Sequence, residues 1–250
     1  MRPLARITLL FLLACGLRAA DPAELIRQAR AAEDRFDTRT ALALFLQANA
    51  ARPNDPGILQ GISRQYSDST ADTPDLAEKK RLCTKALAYA RRAAALAPRD
   101  AVNVLSVAIC YGKLALYSDT RTKIEYSRLV KDYAGQALAL DPDYDYAHHV
   151  LGRWNYEVAS LGLATRVIVR VIYGGLPPAS TAEAVRQLQR AVELSPQLPA
   201  HRVELGFALL ADGQRDAARR VFKEALAMPR VEKYDDEAFS RAREALADLR

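Results

Sequence analysis

Three cysteines, three histidines and one tryptophan in 250 residues leave few side chains for metal, redox or nucleophilic chemistry. His148 and His149 are adjacent, so on a helix they point about 100° apart. No two histidines stand four apart, the spacing from which one helix face holds zinc. No glycine-rich phosphate loop occurs, and no Ser-His-Asp or Cys-His signature can be assembled from local motifs. These absences set the expectation of no catalytic residue, no metal site and no cofactor. The formal charge is +6, yet Lys and Arg never form a run of five and are interspersed with Asp and Glu throughout. That pattern describes a solvated surface rather than a nucleic-acid interface.

The one long, mostly apolar run, Ile7 to Cys15, is shorter than the roughly 20 residues a transmembrane helix requires. It follows Arg2 and Arg6 and precedes small residues, which is the layout of an export signal. Residues 1–20 are therefore expected to be a signal and 21–250 a single domain. The segment Leu12-Leu13-Ala14-Cys15-Gly16 resembles a bacterial lipobox, in which Cys15 is lipidated and tethers the chain to the membrane. Ordinary cleavage near Ala19 or Ala20 is the alternative. Either route places the chain outside the cytoplasm, periplasmic or lipid-anchored at a bacterial envelope. In that compartment Cys83 and Cys110 are candidates for a disulfide, although packing as free thiols is the favoured reading.

What the sequence has in quantity is alanine at helical spacing. Ala41, Phe45, Ala48 and Pro53 are separated by four, three and five residues. The same spacing recurs at Ala86, Ala90, Ala93 and Pro98, at Val130, Ala134, Ala137 and Pro142, and at Ala184, Leu188, Ala191 and Pro196. A fifth copy, Ala218, Phe222, Ala225 and Pro229, is one residue short. Each set puts small and apolar side chains on one helix face and ends the helix with proline. An upstream helix completes each unit, with Asp212-Gly213 as the turn inside the last. The pattern resembles the tetratricopeptide repeat, whose period is about 34 residues.

The prolines are 45, 44, 54 and 33 residues apart, so the middle units carry insertions. The first is a polar loop plus a lengthened helix in residues 67–80, and the second lies near residues 118–129. The third, residues 160–180, contains ATRVIVRVIYGGL, whose helix is apolar on almost every side. Such a helix must be covered. It is expected to fold across the stack onto the fourth and fifth units, the alternative being contact with a lipid or other apolar ligand or with a membrane. The tail, with Ala238, Ala242, Leu246 and Leu249 at helical spacing, is expected to cap the array. The fold expected is all-α: a tetratricopeptide-like superhelix of about five helix pairs with a C-terminal capping helix.

The stretch YDYAHHVLGRWNYEVASLG, residues 144–162, holds Trp154 and two histidines. Leu151-Gly152 aligns with Leu205-Gly206 of the last unit, which puts Trp154 on a packed side with its indole N–H needing a partner. Tyr146, His149, Arg153 and Tyr156 then share one face. That face either lines the concave surface or holds satisfied structural polar groups. HHVLGRWNYEVASLG, GGLPPASTAEAVRQLQRAVELSP and LGFALLADGQRDAARRVFKEA resemble the regulator of microtubule dynamics family of tetratricopeptide-like proteins. The similarity runs over roughly Leu82 to Arg250.

The resemblance implies a non-catalytic scaffold that binds a protein or peptide partner through its concave face. The expected contact residues are Arg64, Ile109, Tyr146, His149, Arg153, Tyr156, Val203 and Phe207. Repeat proteins that clamp a C-terminal carboxylate use Lys and Asn where this chain has Ile26, Arg30, Gln60, Arg64, Leu105 and Ile109, so that clamp is not expected. The second function considered is binding of a lipid or other apolar ligand near residues 160–176.

Overall fold

The computed structural model describes residues 21–249; the expected export signal and Cys15 lie outside the described residues. Twelve α-helices and no strand occur among these residues. Five antiparallel pairs stack in chain order: α1 (Pro22–Glu33) with α2 (Thr38–Ala51), α3 (Pro56–Asp68) with α4 (Leu76–Leu96), and α5 (Ala101–Leu116) with α6 (Thr120–Leu140). The fourth pair is α7 (Asp145–Ala159) with α9 (Thr181–Leu194), and α8 (Leu163–Tyr173) is inserted between them. The last is α10 (Pro199–Ala211) with α11 (Arg215–Leu226), followed by the capping helix α12 (Asp235–Asp248). First helices also touch first helices of neighbouring pairs, α3 with α5, α5 with α7 and α7 with α10. They form the inner wall of the stack.

The repeated small residues are the reason the stack closes. All of Ala41, Phe45, Ala48, Ala86, Ala90, Ala93, Val130, Ala134, Ala137, Ala184, Leu188, Ala191, Ala218, Phe222 and Ala225 are buried. The prolines act one residue upstream of themselves. Arg52, Ala97, Asp141 and Ser195 each precede a proline and each end a second helix, with φ of −134°, −131°, −137° and −135°. A residue before proline is kept out of the helical region by clash with the proline ring. In the fifth unit the spacing is one residue short, Ala227 lies two residues before Pro229 and stays helical at φ −85°, and the chain leaves in a different direction. At Pro53-Asn54-Asp55 and Pro98-Arg99-Asp100 the same three residues stop one helix and cap the next, the Asp carboxylate accepting from two backbone N–H groups.

Close approach of helices depends on two glycines of the aligned first helices. A Cβ at Gly152 would be driven into Leu188, and one at Gly206 into the Phe222 ring. Both neighbours are fully buried and have nowhere to go. Gly206→Ala is expected to cost about 1 to 3 kcal/mol through overpacking, read as a lower midpoint in denaturant. An unchanged midpoint would mean that Phe222 swings aside without loss.

The insertions resolve as expected in the second and third units, where α4 and α6 are each 21 residues long. The third insertion corrects the sequence-based expectation. Helix α8 packs on α6 of the third unit instead of folding across the fourth and fifth, touching the fourth only at the end of α7. Arg128 of α6 donates to the carbonyls of Tyr173 and Gly175, and Arg166 donates to Ala159, so polar bonds hold the helix at the side of the stack. Only Val169 of α8 is buried. Cys83 and Cys110 are free thiols inside one apolar cluster, and burial pushes the Cys110 thiol up to about 11.

Candidate functional site

Trp154 lies in the core, with its indole N–H donating to the Ser127 carbonyl at 2.8 Å. The residues around it on α7 point the other way, into the inner wall. His149 bonds His201 of α10 through their Nδ1 atoms at 2.9 Å, and His201 Nε2 lies 3.1 Å from Asp145. The Asp145 carboxylate fixes the proton of His201 on Nε2, so His149 donates to the free Nδ1 of His201. This relay ends on a histidine where a hydrolase has its hydroxyl nucleophile.

Burial, reinforced by the neighbouring His201, holds His149 down at about 3 against an ordinary value of 6.5. An unfolded chain takes up that proton first as pH falls below 6.5, so the folded state loses stability across the window from 6.5 to about 3. The slope from this group is up to about 1.4 kcal/mol per pH unit. His149→Gln is expected to flatten the fall in stability with acid relative to the unaltered chain. Equal slopes would show that His149 protonates as easily folded as unfolded.

One turn further along the wall, Glu204 of α10 is nearly inaccessible, with its side chain 4% exposed. It accepts from Tyr156 at 2.5 Å and from Arg241 of α12 at 2.6 Å, and Arg153 lies 3.7 Å away. The two arginines overcome the cost of burial and hold the Glu204 carboxyl at about 2. Arg153 also bonds Glu157, and 43% of its side chain remains exposed. Its charge is thus met from within the protein.

The inner wall is not open along its whole length. After α11 the segment Pro229–Tyr234 crosses the first helices of the earlier units. Arg230 stacks over Phe36 of the α1–α2 turn, at 4.2 Å from the ring centre. Glu232 accepts from Tyr146 and faces Arg64 at 3.9 Å. Lys233 pairs with Asp72 at 2.9 Å. Tyr234 donates to the Ser67 carbonyl at 2.8 Å and accepts from Lys113 of α5 at 2.6 Å. Asp235, fully buried, accepts from the N–H groups of Val231 and Glu232 and so fixes the bend of this strap. Burial raises the Glu232 carboxyl and lowers the Lys113 ammonium from their ordinary values.

The expected contact residues lie on one wall. Arg64 and Tyr146 meet the strap, Ile109 and His149 are half-buried, and Tyr156 and Arg153 surround Glu204. Phe207 lies under the Arg241 guanidinium. Val203 is completely enclosed, so it packs the core instead of lining the wall. Lys113, Glu204, Glu232, Tyr234 and Arg241 were missed from sequence. The one available signal was the short fifth spacing, which marks where the chain departs from the repeat.

The family model described as regulator of microtubule dynamics protein 1-3 matches residues 25–250. Regulator of microtubule dynamics protein 3 of Xenopus laevis is 28% identical over 209 residues, 83% of this chain and 45% of that protein. Regulator of microtubule dynamics protein 1 of Mus musculus is 26% identical over 174 residues, 69% of this chain and 56% of that protein. The chain spans about half the length of these relatives. Among solved structures, a thermophilic tetratricopeptide protein of Thermus thermophilus superposes with a TM-score of 0.65 at 20% identity, covering 91% of this chain and all of that one. That likeness establishes a tetratricopeptide-like fold.

Proposed function

The chain belongs to the regulator of microtubule dynamics family, and from that premise we propose that it is a non-catalytic scaffold whose concave wall binds a short segment of a protein partner. The observation that carries this reading is the strap. The wall already accommodates a bent stretch of the chain's own polypeptide through side chains from four units, each matched to one residue of it. A wall with an arginine and a tyrosine for a carboxylate, and a lysine and a carbonyl for a phenol, suits a partner bearing an acidic residue two positions before a tyrosine. The relatives are named for microtubule dynamics, and only their scaffold character is carried over to this chain.

Peptide selection on the doubly substituted chain, Glu232→Ala with Tyr234→Ala, tests it. Enrichment of acidic-x-aromatic sequences whose binding Arg64→Ala weakens is the expected result. Selected peptides without that pairing, or indifferent to Arg64, would set the reading aside. Export and tethering through Cys15 remain part of the proposal, checked by whether Cys15→Ala moves the protein into the soluble fraction.

A specific observation favours a second reading, an apolar ligand beneath α8. A cleft of about 360 Å³ lies there, lined by Val158, Leu161, Val169 and Leu176 together with Arg166 and Arg170. This is at the small end for ligand sites, which run from about 300 to 1,000 Å³. Mass spectrometry of organic extracts of the purified chain reads it directly, and an extract free of bound lipid leaves the scaffold reading alone.

A further inference from the structure

Helix α8 turns its apolar side away from the protein. Leu163 is 81% exposed, Val167 61%, Ile168 51%, Val171 78% and Ile172 61%. At 100° per residue these five fall within one half of the helix circumference, and the buried Val169 falls on the other half. Arg166 and Arg170 border the apolar arc, where their stems extend it and their charges stand at its edge. Isolated exposed apolar residues are ordinary, but five on one face of one inserted helix mark a contact surface.

The charge around this face identifies what it meets. From Val158 to Ala182 there is no Asp or Glu, while Arg166 and Arg170 carry two positive charges. Arg128 and Lys131 of α6 reach the same platform, bonding the carbonyls of Gly175 and Pro178. No helix among the described residues is long and apolar enough to cross a membrane. An 11-residue amphipathic helix with arginines along its apolar border is instead built to lie in a bilayer surface. We propose that α8 is a membrane-docking helix that inserts Leu163, Val167, Ile168, Val171 and Ile172 into the surface of an anionic bilayer. This surface is the outer side of α8, distinct from the concave wall and from the cleft beneath the helix.

The test uses the full chain with Cys15→Ser and Ile168→Cys carrying an environment-sensitive dye; Cys83 and Cys110 are buried and escape labelling. Because the dye sits on α8, binding through any other segment leaves it silent. Vesicles of phosphatidylcholine with phosphatidylglycerol are expected to shift its emission to the blue, and pure phosphatidylcholine to do so far less. Arg166→Glu with Arg170→Glu is expected to weaken the partition at least about thirty-fold, the effect of two surface cations. Emission that ignores anionic vesicles overturns the proposal, and so does a shift of equal size with neutral vesicles. A dimer in the absence of vesicles that Val171→Glu dissociates also overturns it, by making a second copy of the chain the occupant of this face.

Discussion

Replacing Glu204 with alanine is expected to lower the stability of the folded chain by about 3 to 5 kcal/mol, the range for removing one partner of a buried ion pair. The carboxylate is 4% exposed and balances two guanidiniums, of which Arg153 is 43% and Arg241 31% exposed. Those exposures let both arginines regain some water, which favours the lower end of the range. The Tyr156 hydroxyl, on a side chain 9% exposed, has no such relief. A buried donor left unmatched adds about 1 to 3 kcal/mol. Glu204→Gln keeps an acceptor for Tyr156 and should recover part of the loss. The carboxyl is held at about 2 against an ordinary 4.5, so its contribution is full above 4.5 and disappears as pH falls through that interval. Denaturant unfolding at neutral pH measures the effect, and a loss below about 1 kcal/mol, the worth of a surface pair, would deny Glu204 its role as the anchor between α7, α10 and α12.

The second large effect is local. Glu232→Ala together with Tyr234→Ala removes the strap's bonds to Tyr146, Arg64, Ser67 and Lys113. Three hydrogen bonds at about 1 kcal/mol each amount to roughly a hundred-fold in the opening equilibrium. The amides of Val231 and Glu232, held by Asp235, report that opening. Their hydrogen exchange is expected to accelerate about a hundred-fold while the core of the five pairs keeps its protection, since local and global opening are separate events. Unchanged exchange at these two amides would show that Asp235 alone holds the bend and that the wall contacts contribute nothing.

The stack was legible because its signal is local and repeated. A spacing of four, three and five names both the buried face of the second helix and the residue that ends it, and neither depends on distant parts of the chain. The packed side of Trp154 followed from aligning one unit on another. Other features depend on contacts that periodicity does not encode. Arg153 read as a cation awaiting a partner's carboxylate, whereas Glu204 faces it from 51 residues away. The strap has no period at all, and a polar connection that crosses a wall looks in sequence like one that leaves into solvent. The placement of α8 failed for a different reason. Its apolar composition points to cover by the fourth and fifth units, but Gly174, Gly175 and the Arg128 bonds hold it beside α6 with its apolar arc outward.

A strap in the same chain faces the wall at an effective concentration of about millimolar, so a free peptide competes only after the strap is weakened. Calorimetric titration of a synthetic peptide spanning residues 229–236 into the unaltered chain and into the Glu232→Ala, Tyr234→Ala chain examines the wall as a peptide site without knowledge of the natural partner. Saturable binding to the substituted chain alone, abolished by adding Lys113→Met, is the expected result. Heat signals that are alike for both chains, or absent from both, would contradict a concave wall that recognises a short acidic and tyrosine-bearing segment.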